Sequence, residues 1–214
     1  MRITKHGHAC VRIEHGSAVV VLDPGVFSDP DSVDGATAIL ITHEHPDHYS
    51  ADHLRRSDAP VFTVDGVAAQ LRDDAPDVAE RTTVVAPGES FDPGIPARAV
   101  GELHAVIHPE LPRIHNSGFV LTGDESVYHP GDALTLPGQD VDVLLLPVSA
   151  PWLRVGECID FAREVGAARN LAVHDRVYSE TGLGIVDGHL QRFLEPLGLA
   201  YRRIADGESL EAGA

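Results

Sequence analysis

Short apolar runs alternate along the chain with turns rich in glycine, proline and aspartate. Runs of this kind predict β-strands. They occur at 8–14, 18–23, 36–42, 59–64, 81–86, 117–122, 126–131, 141–148, 169–174 and 199–204. The turn "HGS" separates the runs 8–14 and 18–23, and the turn "GDE" separates the runs 117–122 and 126–131. Each pair of runs predicts a hairpin. The continuous apolar runs at 36–42 and 141–148 are typical of strands buried on both faces.

Three segments favour helices. The segment 156–167 has apolar residues at helical spacing, 65–73 begins with Asp65 as a predicted cap, and 185–198 is the third. Each half of the chain is therefore mostly strand, with helices following. This order suits two packed sheets with helices outside, and we predict a single domain over 1–214. Two similar words, "APGES" at 86–90 and "ADGES" at 205–209, hint at a duplication, although we interpret them as coincidence.

Composition and net charge argue against several classes of protein, among them nucleic-acid-binding and disulfide-rich proteins. The net charge of −17 repels nucleic acid, whose binding usually depends on neutralising phosphates. The two cysteines do not support a disulfide framework, and a reducing cytosol is the simplest setting. The N-terminal residues lack a secretion signal, and no run approaches the length of a membrane span. We therefore predict a cytoplasmic protein with a small-molecule substrate and with neither a nucleic-acid partner nor a membrane.

The strongest chemical signal is "THEHPDH", which follows the buried run 36–42. Its pattern is His43-x-His45-x-Asp47-His48, and composition alone predicts only roughly 0.004 such matches in a chain of this length. In an extended loop, residues two apart point the same way, so His43 and His45 can hold one ion. Asp47 and His48 lie past the turn at Pro46 and can reach a second ion. Imidazole and carboxylate together suit divalent metals, zinc foremost.

Four ligands cannot complete two sites, so other strand ends must contribute. His104 ends "ARAVGELH", Asp132 follows "SVYHPGD", and His174 ends "RNLAVH". His108, four residues after His104, is the alternative third histidine, although it lies in a proline-rich segment that favours a loop.

These motifs resemble the metallo-β-lactamase superfamily, whose hallmark is HxHxDH followed by a distant histidine, an aspartate and a histidine. The words "GHACVRI", "VVLDPG", "ILITHEHPDH", "VYHPGDAL" and "LAVHD" are similar to the branch that includes L-ascorbate-6-phosphate lactonase and many metal-dependent hydrolases. The resemblance implies an α/β (α+β) fold, a four-layer αββα sandwich of two mixed sheets flanked by helices.

The resemblance also implies a role for each candidate. Three histidines would hold the first ion, Asp47 and two histidines would hold the second, and Asp132 would bridge both; the full set is His43, His45, His104, Asp47, His48, Asp132 and His174. Two divalent ions per chain are implied, with Zn²⁺ preferred and Mn²⁺ or Fe as alternatives. Asp47 and Asp132 would be the catalytic carboxylates, and a metal-bridging hydroxide would attack a small ester or lactone, with or without a phosphate group.

Several further residues have two interpretations each. Asp23 either supports a ligand histidine or forms an Asx turn with Pro24 and Gly25, and His8 is a second supporting candidate or an ordinary strand-end residue. His115 and His129 either line the pocket or face solvent. Loops 24–36, 105–116 and 149–156 would shape that pocket, with Trp152 as an apolar wall.

Other function classes remain open. An RNA-processing nuclease or phosphodiesterase of the same superfamily is the main rival, and the acidic charge argues against it. An iron redox protein and a non-enzymatic binding module are the alternatives of another class. Metal analysis and assays on generic esters and phosphodiesters discriminate among them.

Overall fold

The computed structural model describes residues 1–211, in which short strands pair into two sheets of seven strands each. The strands are β1 (Arg2–Lys5), β2 (Val11–His15), β3 (Ala18–Leu22), β4 (Ala38–Ile41), β5 (Val61–Thr63), β6 (Thr82–Val84), β7 (Ser90–Phe91), β8 (Ala97–Val100), β9 (Gly118–Thr122), β10 (Ser126–His129), β11 (Val143–Pro147), β12 (Arg169–Val173), β13 (Ala200–Arg202) and β14 (Ser209–Glu211). The helices are α1 (Ala51–Leu54), α2 (Asp65–Asp74), α3 (Pro76–Ala79), α4 (Val155–Val165) and α5 (Glu180–Leu194). Short 3₁₀ turns span Pro30–Val33 and Glu195–Leu197.

Both sheets follow one pairing plan. The first has the strand order β14-β1-β2-β3-β4-β5-β6, and the second β7-β8-β9-β10-β11-β12-β13. In each, the first three neighbouring pairs are antiparallel and the last three are parallel. The similar words at 86–90 and 205–209 open the equivalent strands β7 and β14. This equivalence favours a duplication over the coincidence that we inferred from sequence.

Three apolar clusters separate the layers. The central cluster lies between the sheets and combines β3 and β4 residues such as Val20 and Leu40 with Phe119 and Leu145 of the second sheet. A second cluster packs α4 and α5 onto the second sheet, and a third packs α1, α2 and α3 onto the first sheet. The predicted four-layer αββα sandwich of two mixed sheets is therefore confirmed.

The predicted hairpins and central strands are confirmed, but several element ends differ. Helix α2 is not capped by Asp65, because the cap position is Val64, which makes no side-chain hydrogen bond. Helix α5 begins at Glu180 rather than 185, because the Ser179 side chain accepts from the Gly182 backbone amide and caps it. Strand β8 ends at Val100, so His104 lies on the following loop rather than at a strand end.

The sequence analysis missed β1, β7 and β14, which have two to four residues each. Strand β14 pairs antiparallel with β1, so the last described strand completes the N-terminal sheet. No helix within residues 1–211 has the length and apolar character needed to cross a membrane.

Candidate metal centre

The predicted ligand residues gather at one end of the two sheets, where parallel strands finish. His43 follows the end of β4, Asp132 follows β10, and His174 comes directly after β12. Carboxyl ends of neighbouring parallel strands share one edge of a sheet, where ligands usually bind. The Ser117 backbone amide donates to the Thr42 carbonyl at 3.1 Å and joins the two sheets at this edge.

The first ligand group contains three histidines and one aspartate. Its ligand atoms lie within 4.8 Å of one another, in His43, His45, His104 and Asp132. His43 Nε2 and His45 Nδ1 are 3.1 Å apart. His104 Nε2 lies 3.3 Å from Asp132 Oδ2. Two nitrogens on one tetrahedral zinc are separated by roughly 3.3 Å, so this group has the dimensions of a single metal site.

The second ligand group lies beside the first. Its atoms also lie within 4.8 Å of one another, in His8, Asp47, His48 and His174. Asp132 reaches this group as well, because its Oδ1 is 3.1 Å from His48 Nε2 and its Oδ2 is 3.2 Å from His174 Nε2. The structure thus places Asp132 between the two groups, where one carboxylate can serve both.

Buried atoms without hydrogen-bond partners test whether metal ions fit. In the described part of the chain they include the Nε2 atoms of His48, His104 and His174 and the Oδ1 atom of Asp132. Buried polar atoms nearly always have a partner. Imidazole nitrogen and carboxylate oxygen are donors that zinc and other divalent ions accept. The residues therefore fit two divalent ions that share Asp132.

Hydrogen bonds on the outer side of the imidazoles orient the rings. His48 Nδ1 lies 2.7 Å from Asp23 Oδ2, and His104 Nδ1 lies 2.6 Å from the Ala105 carbonyl. His174 Nδ1 likewise donates to a backbone carbonyl. In the neutral rings the proton is therefore on Nδ1, and Nε2 presents its lone pair to the centre.

His8 is close to the second group but has a different role. Its Nδ1 accepts from the Arg176 backbone amide at 3.2 Å, so the proton of the neutral ring is on Nε2. That Nε2 donates to Asp47 Oδ2 at 3.0 Å. Burial lowers the pKa of His8 to about 4, against the opposing hydrogen bond to Asp47. A neutral donor of this kind positions Asp47. The alternative of an ordinary strand-end residue is wrong, because His8 lies in the turn between β1 and β2.

Asp23 accepts hydrogen bonds from residues of the HxHxDH loop and so holds that loop in place. Its Oδ1 accepts from the Thr42 backbone amide at 2.8 Å, and its Oδ2 accepts from the Thr42 hydroxyl at 2.8 Å and from His48. These bonds differ from the Asx turn that was the alternative interpretation. His129 Nε2 lies 3.1 Å from the same carboxylate, and the ring is buried. His129 therefore neither faces solvent nor lines an open pocket.

The two remaining candidate histidines lie outside the centre. His108 is exposed and accepts from the Glu110 backbone amide at 3.2 Å, whereas His104 joins the first group. His115 is also exposed and pairs with Asp65. It lines a neighbouring cavity of about 420 Å³ rather than the metal groups.

Sequence reasoning missed two supporting contacts. The Asn116 side chain accepts from the Asp132 backbone amide at 3.0 Å and donates to the Pro130 carbonyl at 2.9 Å, which fixes the turn that carries Asp132. Trp152, predicted only as an apolar wall, donates from Nε1 to Asp132 Oδ2 at 3.0 Å. The position of Trp152 in a loop directly after a buried strand was the one available signal, and Asn116 gave none.

Left-handed backbone conformations concentrate at this centre. Among the described non-glycine residues, only His8, Asp23 and His174 have positive φ, at 52°, 47° and 55°. Each such residue costs on the order of 1–3 kcal/mol and persists where the surroundings hold it. Gly25 allows close approach of its loop, because an added Cβ would lie 2.0 Å from the Asp47 carbonyl oxygen.

Charge coupling sets the protonation of the metal-free centre. Burial alone would lower the pKa of His48. The charges of Asp132 and Asp23 outweigh burial and raise this pKa well above its ordinary value. Burial also lowers the pKa of His174, but Asp132 and Asp47 have the larger effect and raise it to about 9. Burial and the charge of His48 hold the pKa of His43 well below its ordinary value. Without ions, His48 and His174 therefore each carry an additional proton at neutral pH.

We expect metal binding to release these two protons, because a ligand imidazole must be neutral. Below the raised pKa of His174, at about 9, affinity should fall as pH falls. Displacement of two protons predicts a loss of about a hundredfold per pH unit for loading both ions. Calorimetric titration with Zn²⁺ in two buffers of different ionisation enthalpy measures the protons released. A release near zero at neutral pH would contradict the assigned protonation.

The fold and the paired ligand groups together define a metal-dependent hydrolase built on two face-to-face mixed sheets. A family model described as the Beta-lactamase superfamily domain matches residues 2–174, and the chain belongs to that superfamily. The resemblance stated from the sequence motifs is thereby confirmed at the level of the superfamily.

Relatives and a solved structure agree with this assignment. The chain is 39% identical over 199 residues to Protein Rv0786c of Mycobacterium tuberculosis, covering 89% of this chain and 91% of the relative. It is 31% identical over 172 residues to a UPF0173 metal-dependent hydrolase of Pyrobaculum arsenaticum, covering 71% and 73%. The metallo-β-lactamase-fold protein YhfI of Bacillus subtilis superposes with a TM-score of 0.70 at 15% identity, covering 98% and 99%. That likeness shows the fold. The ascorbate-6-phosphate lactonase-like branch stays a prediction.

Proposed function

We propose that this metal-dependent hydrolase cleaves a small ester or lactone with two divalent ions, Zn²⁺ by preference. The observation that carries the proposal is the position of Asp132 between two ligand groups, in which the buried Nε2 atoms of His48, His104 and His174 have no hydrogen-bond partner in the described chain. Bound divalent ions act as Lewis acids and lower the pKa of water to about 7. Mn²⁺ and Fe are the alternative metals that we would test.

The carboxylates would organise the reaction. Burial raises the pKa of Asp47, but the neighbouring His174 and the hydrogen bond from His8 lower it well below the ordinary value, so it stays ionised. The Asp47 side chain is 20% exposed, which leaves it at the solvent side of the centre. We assign it a hydrogen bond that orients the attacking water, whose proton passes on to the leaving oxygen. The water oxygen bonds to the acyl carbon, the ester C–O bond breaks, and the leaving oxygen takes a proton. A lactone thus gives a hydroxy acid.

The expected substrate is small and carries an anionic group. Arg113 lies in the loop over the first ligand group, where its Nε donates to the His104 carbonyl at 2.8 Å. Within residues 1–211 no carboxylate forms an ion pair with Arg113, so its guanidinium can meet a substrate anion. A long polyanion would be repelled by the net charge of −17. We therefore place nucleic acid outside the substrate range.

A substrate panel tests this proposal. We expect metal-loaded protein to hydrolyse lactones and simple esters, with turnover abolished by chelation and by His43→Ala. Arg113→Gln should raise KM about 10- to 150-fold for a phosphorylated lactone and leave KM for its neutral counterpart within about twofold, since one charge-assisted contact contributes about 1.5–3 kcal/mol. His108→Ala, outside the ligand groups, is the matched control for His43→Ala. Metal-dependent cleavage of structured RNA without turnover of small esters would overturn the proposal.

A further inference from the structure

Exposed apolar side chains flank the metal centre on two sides. We call them the apolar rim: Val26, Phe27, Val106, Ile107 and Leu111. Their exposed fractions lie between 42% and 53%. Single exposed apolar residues are ordinary on proteins, but a cluster at one place indicates a binding surface. Apolar surface left in water is unfavourable in proportion to its area, so such a cluster is unfavourable unless something binds to it.

Contacts attach the rim to the metal ligands. On one side, the Phe27 ring lies edge-on to His8 with centroids 5.4 Å apart, and the Val26 amide donates to the Pro46 carbonyl at 2.8 Å. Pro46 belongs to the loop that carries the HxHxDH motif. On the other side, Ile107 and Leu111 line one small cavity together with first-group histidines. Val26 and Phe27 therefore lie beside the second ligand group, and Ile107 and Leu111 lie beside the first.

Further contacts attach the loop that bears Val106 and Ile107 to the metal centre. The Ala105 backbone amide donates to the Asp132 carbonyl at 2.7 Å, which ties the loop bearing Val106 and Ile107 to the shared carboxylate. The Trp152 ring lies edge-on to the His104 ring, with the centroids 6.0 Å apart.

The exposed area of the apolar rim indicates which kind of molecule binds there. Five half-exposed side chains offer on the order of 400 Å² of apolar surface. A stable protein interface needs about 800 Å² on each partner. The rim residues lie beside His8, His45 and His104, so a permanent partner on the rim would hinder access to the ligand groups. A substrate group that arrives and leaves with each turnover fits both observations.

We infer that the substrate carries an apolar acyl chain or aryl group next to the scissile carbonyl, and that the apolar rim binds it. This inference rests on the proposed ester or lactone hydrolysis and names the substrate class for that site. Arg113 and the rim are compatible in one amphiphilic molecule, whose anion meets the guanidinium while its apolar part lies on the rim.

The test is an acyl-length series of 4-nitrophenyl esters, from acetyl through butyryl and hexanoyl to octanoyl, with metal-loaded protein. We expect kcat/KM to rise about two- to fourfold per methylene until the rim is covered. Ile107→Ser and Leu111→Ser should flatten this rise with metal content unchanged. Ile185→Ser, at a 60% exposed apolar position on α5, is the matched control and should leave the rise unaltered.

A second measurement separates this inference from the proposed function. Trp152 is the single tryptophan, so its fluorescence reports alkyl carboxylates, from acetate to octanoate, binding at the centre. Affinity that rises with chain length, without turnover of any ester, would support the rim and sink the proposed function. Turnover of esters with flat kcat/KM and flat carboxylate affinity would overturn the rim alone. Dimerisation, or co-sedimentation with phosphatidylcholine vesicles, that Ile107→Ser abolishes would also overturn it, because the rim would then be a docking surface.

Discussion

Replacing Asp132 by asparagine is expected to reduce bound metal from two ions per chain to one or none and to lower turnover by about 10²–10⁴. The substitution keeps the shape of the side chain but removes the charge that faces both ligand groups, where its oxygens lie 3.1 Å from His48 Nε2 and 3.2 Å from His174 Nε2. Removing one member of a buried charged set costs about 3–5 kcal/mol, because its partners stay buried without compensation. Elemental analysis and ester turnover measure the two effects.

The matched control for this prediction is Asp160→Asn. Asp160 is an exposed residue of α4 and belongs to neither ligand group, so its substitution should leave both readouts unchanged. Circular dichroism separates loss of metal from loss of fold. Full metal content with full turnover in Asp132→Asn would show that this carboxylate does not join the two groups.

The largest stability effect is expected for Phe119→Ala. Phe119 lies on β9 with no exposed surface, in the cluster between the two sheets, and its ring packs edge-on against Phe91 with centroids 6.0 Å apart. Truncation removes the buried ring and leaves a cavity that the two sheets cannot close. Such substitutions cost about 3–5 kcal/mol. Urea unfolding at fixed metal content should show a lower midpoint with an unchanged slope.

Ile185→Ala provides the comparison for this effect. Ile185 is 60% exposed on α5, so its truncation removes few contacts and should change the free energy of unfolding by less than about 0.5 kcal/mol. A cost below about 1 kcal/mol for Phe119→Ala would mean that the space between the sheets repacks. In that case the central cluster would not be the main source of stability.

Several features of this protein follow from sequence alone, because they depend on neighbours along the chain. The buried runs that became β4 and β11 are continuous apolar segments, and continuous burial on both faces requires such segments. The HxHxDH loop places His43 and His45 on one side because extended residues alternate. Its match to a superfamily pattern also predicted the αββα fold that the structure contains.

Tertiary structure alone decided which distant residues complete and support the centre. His104 and His108 have the same chemistry and lie four residues apart, and only the packing of the loop after β8 brings His104 to Asp132. His8, Asp23 and Asn116 gained their roles from partners that lie far from them in sequence or across the two sheets. The pairing of β1 with β14 joins segments of three to four residues too short to show a periodic pattern. A local apolar pattern reports whether a residue is buried. Which segments meet is determined by packing of the whole chain, in which sheet edges, left-handed turns and buried hydrogen bonds must be satisfied together.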